Sequence, residues 1–314
     1  MEKIIMATAQ FENRSGDKAY NLSTIDRMAA FAASRGAKVI AFHECSITGY
    51  TFARKLSKEQ MLDLAEPIPG GPSVRRLTAI AAANGIVILA GLFEKDEKND
   101  LYKAYVCVDK NGLVAKFRKL HPFVNPFVLP GNEYCVFDLF GWKCGILICY
   151  DNNIIENVRA TRLLGANILF MPHVTMCTPS PRPGAGFVDP RLWENRENDP
   201  TSLRLEFEGM KGRDWLMKWL PARAYDNGMY CVFSNAIGMD EDQLKNGRSM
   251  ILDPFGDVLA ECTELGDQLV MATLTPEKLQ QAGGNRYLQA RRPELYREII
   301  GQEHQSVQKV AWVS

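Results

Sequence analysis

Short runs of strand-forming residues alternate with longer stretches of helical spacing along most of the chain, and this alternation constrains the fold most. The pattern predicts strands over 4–11, 38–44, 86–94, 143–151, 167–174, 230–238 and 249–261. It predicts helices from a cap at Asp17 to Gly36, over 69–85 with a cap at Ser73, over 154–166 and over 215–228. A hairpin turn at 109–112 joins two further strands, over 101–109 and 113–121. Two such halves predict two sheets covered by helices, rather than one open parallel sheet.

The domain organisation follows from composition along the chain. No linker-like change separates the two halves, so we predict one domain over 1–275. The remaining residues, 276–314, are predicted to form a C-terminal extension that packs on the domain or at an oligomer interface. The segment 177–211 is rich in Pro, Arg, Asn and Gly, and we predict a long surface loop there that acts as a lid over a site.

The charge balance excludes several function classes. Lys+Arg and Asp+Glu both number 37, so the formal net charge is zero, which argues against nucleic acid as a partner. No apolar stretch reaches the length of a transmembrane helix, and the N-terminal apolar run lacks the features of an export signal. We therefore expect a soluble cytoplasmic protein that does not bind membranes and acts on a small molecule.

The eight cysteines are scattered, with no CxxC pair and no histidines at zinc-site spacing. We expect no metal and no other cofactor. In a chain large enough to build a core, most such thiols are reduced and buried, where they pack like small hydrophobic side chains. A functional cysteine has to be identified by its surroundings.

Three reactive side chains share one local context, the downstream end of an apolar strand: Glu44, Lys119 and Cys149. In α/β folds catalytic groups gather at such strand ends, where loops surround a cleft. A carboxylate can take the thiol proton and a lysine ammonium can stabilise a developing oxyanion. The backbone N–H of Tyr150, in the turn after the cysteine, is a second candidate oxyanion donor. Taken singly, each of the three residues fits an ordinary structural role; the combination favours catalysis.

The sequences around these residues resemble the motifs of the nitrilase superfamily of carbon–nitrogen hydrolases. AFHECSITGY resembles the acid motif, KFRKLHP the lysine motif and GILICYDNNIIEN the cysteine motif. PARAYDNGMYCVFSNAIG, followed by GRSMILDPFGDVLAE, resembles the closing half of the family. The order and rough spacing match too, and the similarity runs from about residue 4 to about residue 275.

This resemblance implies an α/β fold with a four-layer αββα sandwich, and a metal-free Glu-Lys-Cys site in a homodimer or larger homo-oligomer. By the family mechanism Glu44 takes the thiol proton and Cys149 attacks the amide carbon. Lys119 and the Tyr150 amide hold the oxyanion. Ammonia or an amine leaves, and water activated by Glu44 then cleaves the thioester.

The sequence departs from the family pattern after the lysine motif. Many members have a second glutamate there, but LHPFVNPFVLPG has no acid before Glu133, and Asn125 is the nearest polar side chain. An amide-rich segment that includes Asn152 follows the cysteine, where the family often has arginine. We predict substrate contacts from Asn125, Asn152 and His173, the last because the strand after the cysteine helix feeds the pocket in this family.

We predict hydrolysis of a small amide or N-carbamoyl compound through a cysteine thioester. Two alternatives among enzymes are a nitrilase and an acyltransferase that passes the thioester to an amine. A protease-like pair of Cys149 and His173 is a further, weaker alternative. The missing second glutamate also leaves open a catalytically silent binding or scaffold protein with the same fold.

Overall fold

The computed structural model describes residues 1–177 and 186–306, with the side chains of 176 and 177 excepted. The strands are β1 (Ile4–Gln10), β2 (Val39–Ala41), β3 (Val87–Lys95), β4 (Leu101–Asp109), β5 (Gly112–Arg118), β6 (Val128–Leu129), β7 (Cys135–Leu139), β8 (Trp142–Ile146), β9 (Ile168–His173), β10 (Met176–Cys177), β11 (Tyr230–Asn235), β12 (Ile237–Asp240), β13 (Gln243–Asn246), β14 (Met250–Leu252), β15 (Val258–Glu261) and β16 (Gln268–Leu274).

The α-helices are α1 (Lys18–Ser34), α2 (Lys58–Leu64), α3 (Pro72–Asn84), α4 (Ile155–Leu163), α5 (Pro190–Glu194), α6 (Pro200–Glu208), α7 (Arg213–Met217), α8 (Leu220–Tyr225), α9 (Pro276–Gln281), α10 (Gly283–Gln289) and α11 (Arg297–Ile300). Short 3-10 helices lie at Thr51–Lys55, Cys149–Asn153 and Pro293–Leu295. None of the helices in the described ranges is both long and apolar enough to cross a bilayer.

Two large sheets form the centre of the molecule. The first has the strand order β16-β1-β2-β3-β4-β5, with β6 paired to β4. The second has the order β15-β14-β11-β9-β8-β7, and the small sheet β10-β13-β12 lies apart from both. The parallel pairs β1–β2, β2–β3, β8–β9 and β9–β11 are flanked by antiparallel neighbours. The first sheet is thus built from β1 to β6 together with β16, which returns to pair with β1, and the second from β7, β8, β9, β11, β14 and β15. Two mixed sheets form, as the repeated pattern predicts.

The first sheet is buried on both faces, which explains its nearly continuous apolar strands. Along β3, Val87 and Leu89 face the core between the sheets, and Ile88 and Ala90 face the opposite side. Because side chains alternate along a strand, β1, β2 and β4 divide their apolar residues in the same way. The outer face packs against α1 and α3, whose inward-facing residues complete a second apolar cluster.

The second sheet is covered in the same manner. Trp142 and Phe170 on its strands belong to the core between the sheets, and Val158 of α4 and Ala224 of α8 join the same cluster. Hydrogen bonds also join the sheets directly, since the Thr8 hydroxyl donates to the Phe233 carbonyl at 2.9 Å. The order helix, sheet, sheet, helix confirms the predicted four-layer αββα sandwich.

Two helix predictions need correction. Asp17 caps α1 as predicted, but α3 begins at Pro72, so Ser73 lies inside its first turn. The buried Glu66 carboxylate does the capping instead, because it accepts from the Ser73 N–H at 2.8 Å and from its hydroxyl at 2.9 Å. The helix predicted over 215–228 is divided into α7 and α8, since Pro221 has no N–H to continue the hydrogen-bond ladder.

The segment predicted as a long loop contains helices. Residues 178–185 of that prediction lie outside the described residues. In the remainder, α5 and α6 bury Trp193, Leu203 and Phe207 against Ile237 and Leu244 of the small sheet. The segment therefore has its own apolar cluster, and the lid role stays a prediction.

The first part of the C-terminal segment packs on the sandwich. Leu279 of α9 joins the core between the sheets, and Lys278 pairs with the buried carboxylate of Asp253 at 2.5 Å. Beyond α10 the exposed apolar side chains include Leu295, Ile299 and Ile300.

Candidate active site

The two sheets bring the predicted catalytic residues to one end of the sandwich. Glu44 follows β2 and Lys119 directly follows β5, both in the first sheet, whereas Cys149 follows β8 in the second. The Glu44 N–H donates to the His173 carbonyl at the end of β9, with N···O 3.3 Å, and so connects the strand ends of the two sheets.

The acid and the amine form a buried ion pair. Lys119 Nζ lies 2.7 Å from Glu44 Oε1, and the two side chains are 0% and 2% exposed. Because the charges lie away from bulk water, their attraction is screened much less than at a surface. The pair is the innermost part of the site.

A second lysine, Lys103, contacts the same oxygen of Glu44, and it was not among the residues predicted from the sequence. Lys103 Nζ lies 3.1 Å from Glu44 Oε1, with its side chain 1% exposed, and 4.5 Å from the centre of the Tyr50 ring. A signal was present in the sequence. Lys103 lies in phase with Tyr105 and Cys107, so on a strand it shares their buried face.

The two ammonium groups determine the state of the acid. Burial alone raises the pKa of Glu44, but Lys103 and Lys119 outweigh it and lower that pKa to about 2. Burial lowers the pKa of Lys119, yet Cys149 and Glu44 more than compensate and hold it well above its ordinary value. Burial also lowers the pKa of Lys103, against the attraction of Glu44. Glu44 is therefore a carboxylate at neutral pH.

Cys149 has the backbone geometry of a nucleophile in a sharp turn. It begins the 3-10 helix Cys149–Asn153, and its φ of 53° lies in the left-handed region that non-glycine residues seldom adopt. Such a conformation costs on the order of 1–3 kcal/mol and is concentrated at functional sites. Burial raises the pKa of the thiol, while Lys119 and a hydrogen bond from the Val174 backbone oppose the rise. A base is therefore needed to remove the proton.

Asp151 connects the nucleophile turn to the lysine segment. Its fully buried carboxylate accepts from the Ile148 N–H at 3.2 Å and from the Leu120 N–H at 3.2 Å. The same carboxylate also accepts from the His121 N–H at 2.9 Å, and the His121 Nδ1 lies 3.0 Å from it. Asp151 was not among the residues predicted from the sequence, although an acid two residues after a nucleophile is well placed to accept from the backbone of the same turn.

The Asn125 amide is largely used by the backbone. Its Nδ2 donates to the carbonyls of Ala53 at 2.8 Å and Leu56 at 3.1 Å, and its Oδ1 accepts from the Phe127 N–H at 2.9 Å. These bonds hold the segment after Lys119 against the Thr51–Lys55 helix. A substrate contact from Asn125 would have to use the remaining lone pair of Oδ1. Glu133 is exposed, and so does not replace the missing second glutamate.

Asn152 and His173 lie together beside the nucleophile. Asn152 Nδ2 donates to the Leu147 carbonyl at 2.7 Å and lies 3.2 Å from both the Cys149 carbonyl and His173 Nε2. Asn152 Oδ1 is buried and has no hydrogen-bond partner among the described residues.

His173 is held as a neutral ring. It stacks on Trp219 at 5.5 Å and contacts Phe233 at 4.8 Å, and burial lowers its pKa to about 3. Its Nε2 faces Asn152, and its Nδ1 lies 3.5 Å from the Thr175 hydroxyl. These partners do not support a protease-like pair with Cys149.

The arrangement supplies the groups that acyl transfer requires: a nucleophile, an ionised base and a cation beside the base. Within 1–175 and 186–306, no cluster of three or more His, Cys, Asp or Glu side chains could hold a metal ion.

Comparison with known proteins supports this chemistry. A protein described as the hydrolase in the pqqF 5'region of Pseudomonas protegens is 30% identical over 300 residues, which cover 94% of this chain and 91% of that protein. The N-carbamoylputrescine amidase of Solanum lycopersicum is 26% identical, with 95% of each chain covered. Among solved structures, a cysteine-to-alanine mutant of the amidase from Nesterenkonia sp. AN1 in complex with butyramide has a similar fold. Its TM-score is 0.69 at 24% identity, over 94% of this chain and 97% of that one.

The family model for carbon-nitrogen hydrolases matches residues 5–283, which include Glu44, Lys119 and Cys149. With this match and the relative at 30% identity, the chain belongs to the carbon–nitrogen hydrolase family, whose members act on non-peptide C–N bonds.

Proposed function

We propose that this enzyme hydrolyses a small amide or N-carbamoyl compound, with Cys149 as nucleophile, Glu44 as base and acid, and Lys119 as oxyanion-stabilising cation. One observation carries the proposal. The buried Glu44–Lys119 pair, 2.7 Å apart, lies at the strand ends where Cys149 occupies a left-handed turn. An ordinary role at the protein surface would explain neither the burial of Glu44 and Lys119 nor the left-handed backbone of Cys149.

In the first stage the Cys149 proton moves to Glu44 as the sulfur bonds to the carbonyl carbon. The π electrons of the carbonyl move to its oxygen, and the Lys119 ammonium and the Tyr150 N–H stabilise that charge. The Tyr150 N–H belongs to the first turn of the Cys149–Asn153 helix, where N–H groups lack intrahelical partners. When the C–N bond breaks, Glu44 returns the proton to the departing nitrogen, which leaves as ammonia or an amine.

In the second stage water attacks the thioester carbon, and Glu44 takes the proton of that water. The second tetrahedral intermediate uses the same two oxyanion donors. When it collapses, the C–S bond breaks and the sulfur recovers the proton from Glu44. The acid product leaves, and the site returns to its initial protonation state.

The substrate class rests on the relatives. Those with substrate names act on amides and carbamoyl compounds, such as N-carbamoylputrescine and the substrates of an (R)-stereoselective amidase from Pseudomonas sp.. A nitrilase from Pyrococcus abyssi, 27% identical, makes nitriles the alternative to test. We propose that Asn152 Oδ1, a buried acceptor without a hydrogen-bond partner among the described residues, receives a hydrogen bond from the substrate nitrogen when substrate binds.

We also propose a cytoplasmic homodimer or larger homo-oligomer. Apolar side chains of α4 and the residue after it are exposed, as are those of α11: Ile155, Leu163, Leu164, Ile299 and Ile300. Association would remove these side chains from water. The seven cysteines whose side chains are described are free thiols, a state that the cytoplasm maintains. Size-exclusion chromatography with light scattering measures the oligomeric state directly.

The test of the function is ammonia release from a panel of simple amides, ureido acids and nitriles. We expect the native protein to hydrolyse a panel amide or ureido acid and Cys149→Ala to release no ammonia while its circular dichroism spectrum is unchanged. Cys262→Ala is the control and should retain activity, because it removes a buried thiol whose neighbours are Glu261, Arg248 and the Gln268 carbonyl rather than the site residues. Mass spectrometry should detect an acyl adduct on Cys149 during turnover.

Two outcomes would contradict the proposal. Hydrolysis by Cys149→Ala would remove the cysteine from the mechanism. The silent-scaffold alternative would instead be supported by no hydrolysis of any panel compound, together with no preferential alkylation of Cys149 by iodoacetamide at neutral pH.

A further inference from the structure

Lys103 and Lys119 are neighbours across two strands and converge on one oxygen atom. The Lys119 N–H donates to the Lys103 carbonyl at 2.8 Å, just beyond the last β4–β5 pair. Their ammonium nitrogens lie 3.1 Å and 2.7 Å from Glu44 Oε1, so the two nitrogens are less than 6 Å apart. Two buried like charges at this separation repel each other, and the shared carboxylate offsets the repulsion.

The convergence leaves the other oxygen free. Glu44 Oε2 is buried and has no hydrogen-bond partner among the described residues. Lys103 Nζ is buried too, and although it lies within ion-pair distance of Oε1, it makes no hydrogen bond of good geometry with any of the described residues. Its contribution to the carboxylate is therefore chiefly charge.

The second lysine also changes the charge of the site. When both lysines are protonated and Cys149 is a thiol, Lys103, Lys119 and Glu44 together carry a net positive charge, whereas one lysine and one glutamate would be neutral. Removing Lys103 would leave a single cation to keep a fully buried carboxylate ionised. Burying an ionised carboxylate is costly unless it is paired, so a second partner has a physical purpose.

We propose that Lys103 is a positioning residue for the hydrolysis: with Lys119 it holds Oε1 of Glu44, so that the carboxylate stays ionised and Oε2 stays free to take the Cys149 proton. This inference rests on the proposed role of Glu44 as the base. Lys103 acts through Glu44 and has no assigned contact with the substrate.

The titratable groups whose charges act on Glu44 come from several elements. The lysines belong to β4 and to the end of β5; burial lowers the pKa of Lys103, whereas Cys149 and Glu44 hold the pKa of Lys119 well above its ordinary value. The remaining groups that interact electrostatically with Glu44 are His43, Cys45, Tyr50, Cys149 and His173. Burial holds the pKa of both histidines at about 3, so neither replaces Lys103 as a cation near neutral pH.

The decisive measurement is the pH dependence of kcat/KM for Lys103→Met, with the panel amide that the native enzyme hydrolyses fastest. Methionine keeps most of the length of the side chain and removes its charge. We expect the apparent pKa of the acid limb to rise by about 1 to 3 units, the range for loss of an adjacent opposite charge. The ratio of variant to native kcat/KM should therefore fall as the pH is lowered from 7. A purely structural defect would lower kcat/KM by the same factor at every pH.

Lys116→Met is the matched control. Lys116 also pairs with a buried glutamate, Glu94, at 2.6 Å on the same sheet, but it lies outside the site. Its pH profile should coincide with that of the native enzyme. An acid limb that stays in place in Lys103→Met, while Cys149→Ala is inactive, would overturn the role of Lys103 and leave the proposed function intact.

A second measurement needs no substrate. It is a double-mutant cycle in which Tm is measured for the native protein, the two single variants and the double variant. Lys103→Met should lower Tm less, or raise it more, when Glu44 has been replaced by Gln than when Glu44 is present. The glutamine leaves Lys103 as a buried ammonium without a counter-charge, and the methionine removes that charge. Equal changes in Tm in the two backgrounds would contradict the proposed coupling, even if no panel compound were hydrolysed.

Discussion

Asp151→Asn tests how the nucleophile turn and the lysine segment are held together. The substitution keeps the shape of the side chain but replaces one acceptor oxygen by an NH₂ group. The native carboxylate accepts from three backbone N–H groups and one imidazole nitrogen, from Ile148, Leu120 and His121. If the amide oxygen keeps the two contacts with His121, the new NH₂ group faces the N–H groups of Ile148 and Leu120.

The expected loss of stability follows from those two buried donors. Each buried polar group left unsatisfied costs about 1–3 kcal/mol, which gives a destabilisation of about 2–6 kcal/mol. For a domain of this size the entropy of unfolding converts each kcal/mol into about 1.5 °C, so Tm should fall by about 3–9 °C. The donor–donor contacts also push Lys119 away from Cys149, and a displacement of about 1 Å in an active site can reduce the rate about 100-fold.

The assay is thermal unfolding followed by circular dichroism, together with kcat/KM on the same preparations. Asp138→Asn is the control, because the Asp138 side chain is 68% exposed and pairs with Lys143 only at the surface, 3.4 Å away. Its stability should change by less than about 0.5 kcal/mol. A variant at Asp151 with native Tm and native kcat/KM would refute the reasoning, since it would mean that the four contacts neither stabilise the fold nor position the site.

Two further predictions concern stability. The pKa of Glu44 is about 2 in the folded protein against 4.5 as its ordinary value, so its ion pairs stabilise the fold fully above pH 4.5 and lose this effect as the pH falls toward 2. Denaturant unfolding should show that the free energy of unfolding falls as the pH is lowered over that interval. The dependence on pH should be shallower in Glu44→Gln, and the same dependence in both proteins would contradict the assigned pKa. Cys149→Gly should be more stable than Cys149→Ala by about 1 kcal/mol, because glycine adopts the left-handed φ of 53° without strain. Chemical denaturation of the two inactive variants measures this difference, and equal midpoints would show that the turn is unstrained.

Much of the fold was predictable from local pattern. The apolar runs of β1, β3 and β9 correspond to strands buried on both faces, and the hairpin turn at 109–112 has the sequence chemistry that such turns need. These features are decided by residues close in sequence. Pro221 shows where the interpretation of pattern failed, since the helical spacing continued through a residue that cannot complete the helical hydrogen bonds.

The site residues that lie inside a recognisable sequence motif could be predicted. Those that only the fold brings to the site could not. Glu44, Lys119 and Cys149 could be singled out because each follows a strand inside a recognisable motif. Lys103 could not be ranked above an ordinary strand lysine, because its burial depends on its pairing with β3 and on Glu44, far away in sequence. The role of Asp151 depends likewise on Leu120 and His121, about 30 residues earlier in the chain. Local sequence does not specify such partners.

The division of the catalytic residues between two sheets has a consequence for how the enzyme gains and loses activity. Glu44 and both lysines lie on or directly after strands of the first sheet, and Cys149 follows a strand of the second. Neither sheet alone carries both the proposed base and the proposed nucleophile. Activity therefore requires that the two sheets have packed together through their shared apolar core. If the packing between the sheets loosened, the carboxylate and the thiol would move apart. The rate of catalysis should therefore be a sensitive measure of how well the two sheets are packed together. A chain in which the sheets have not packed together lacks the assembled pair of carboxylate and thiol.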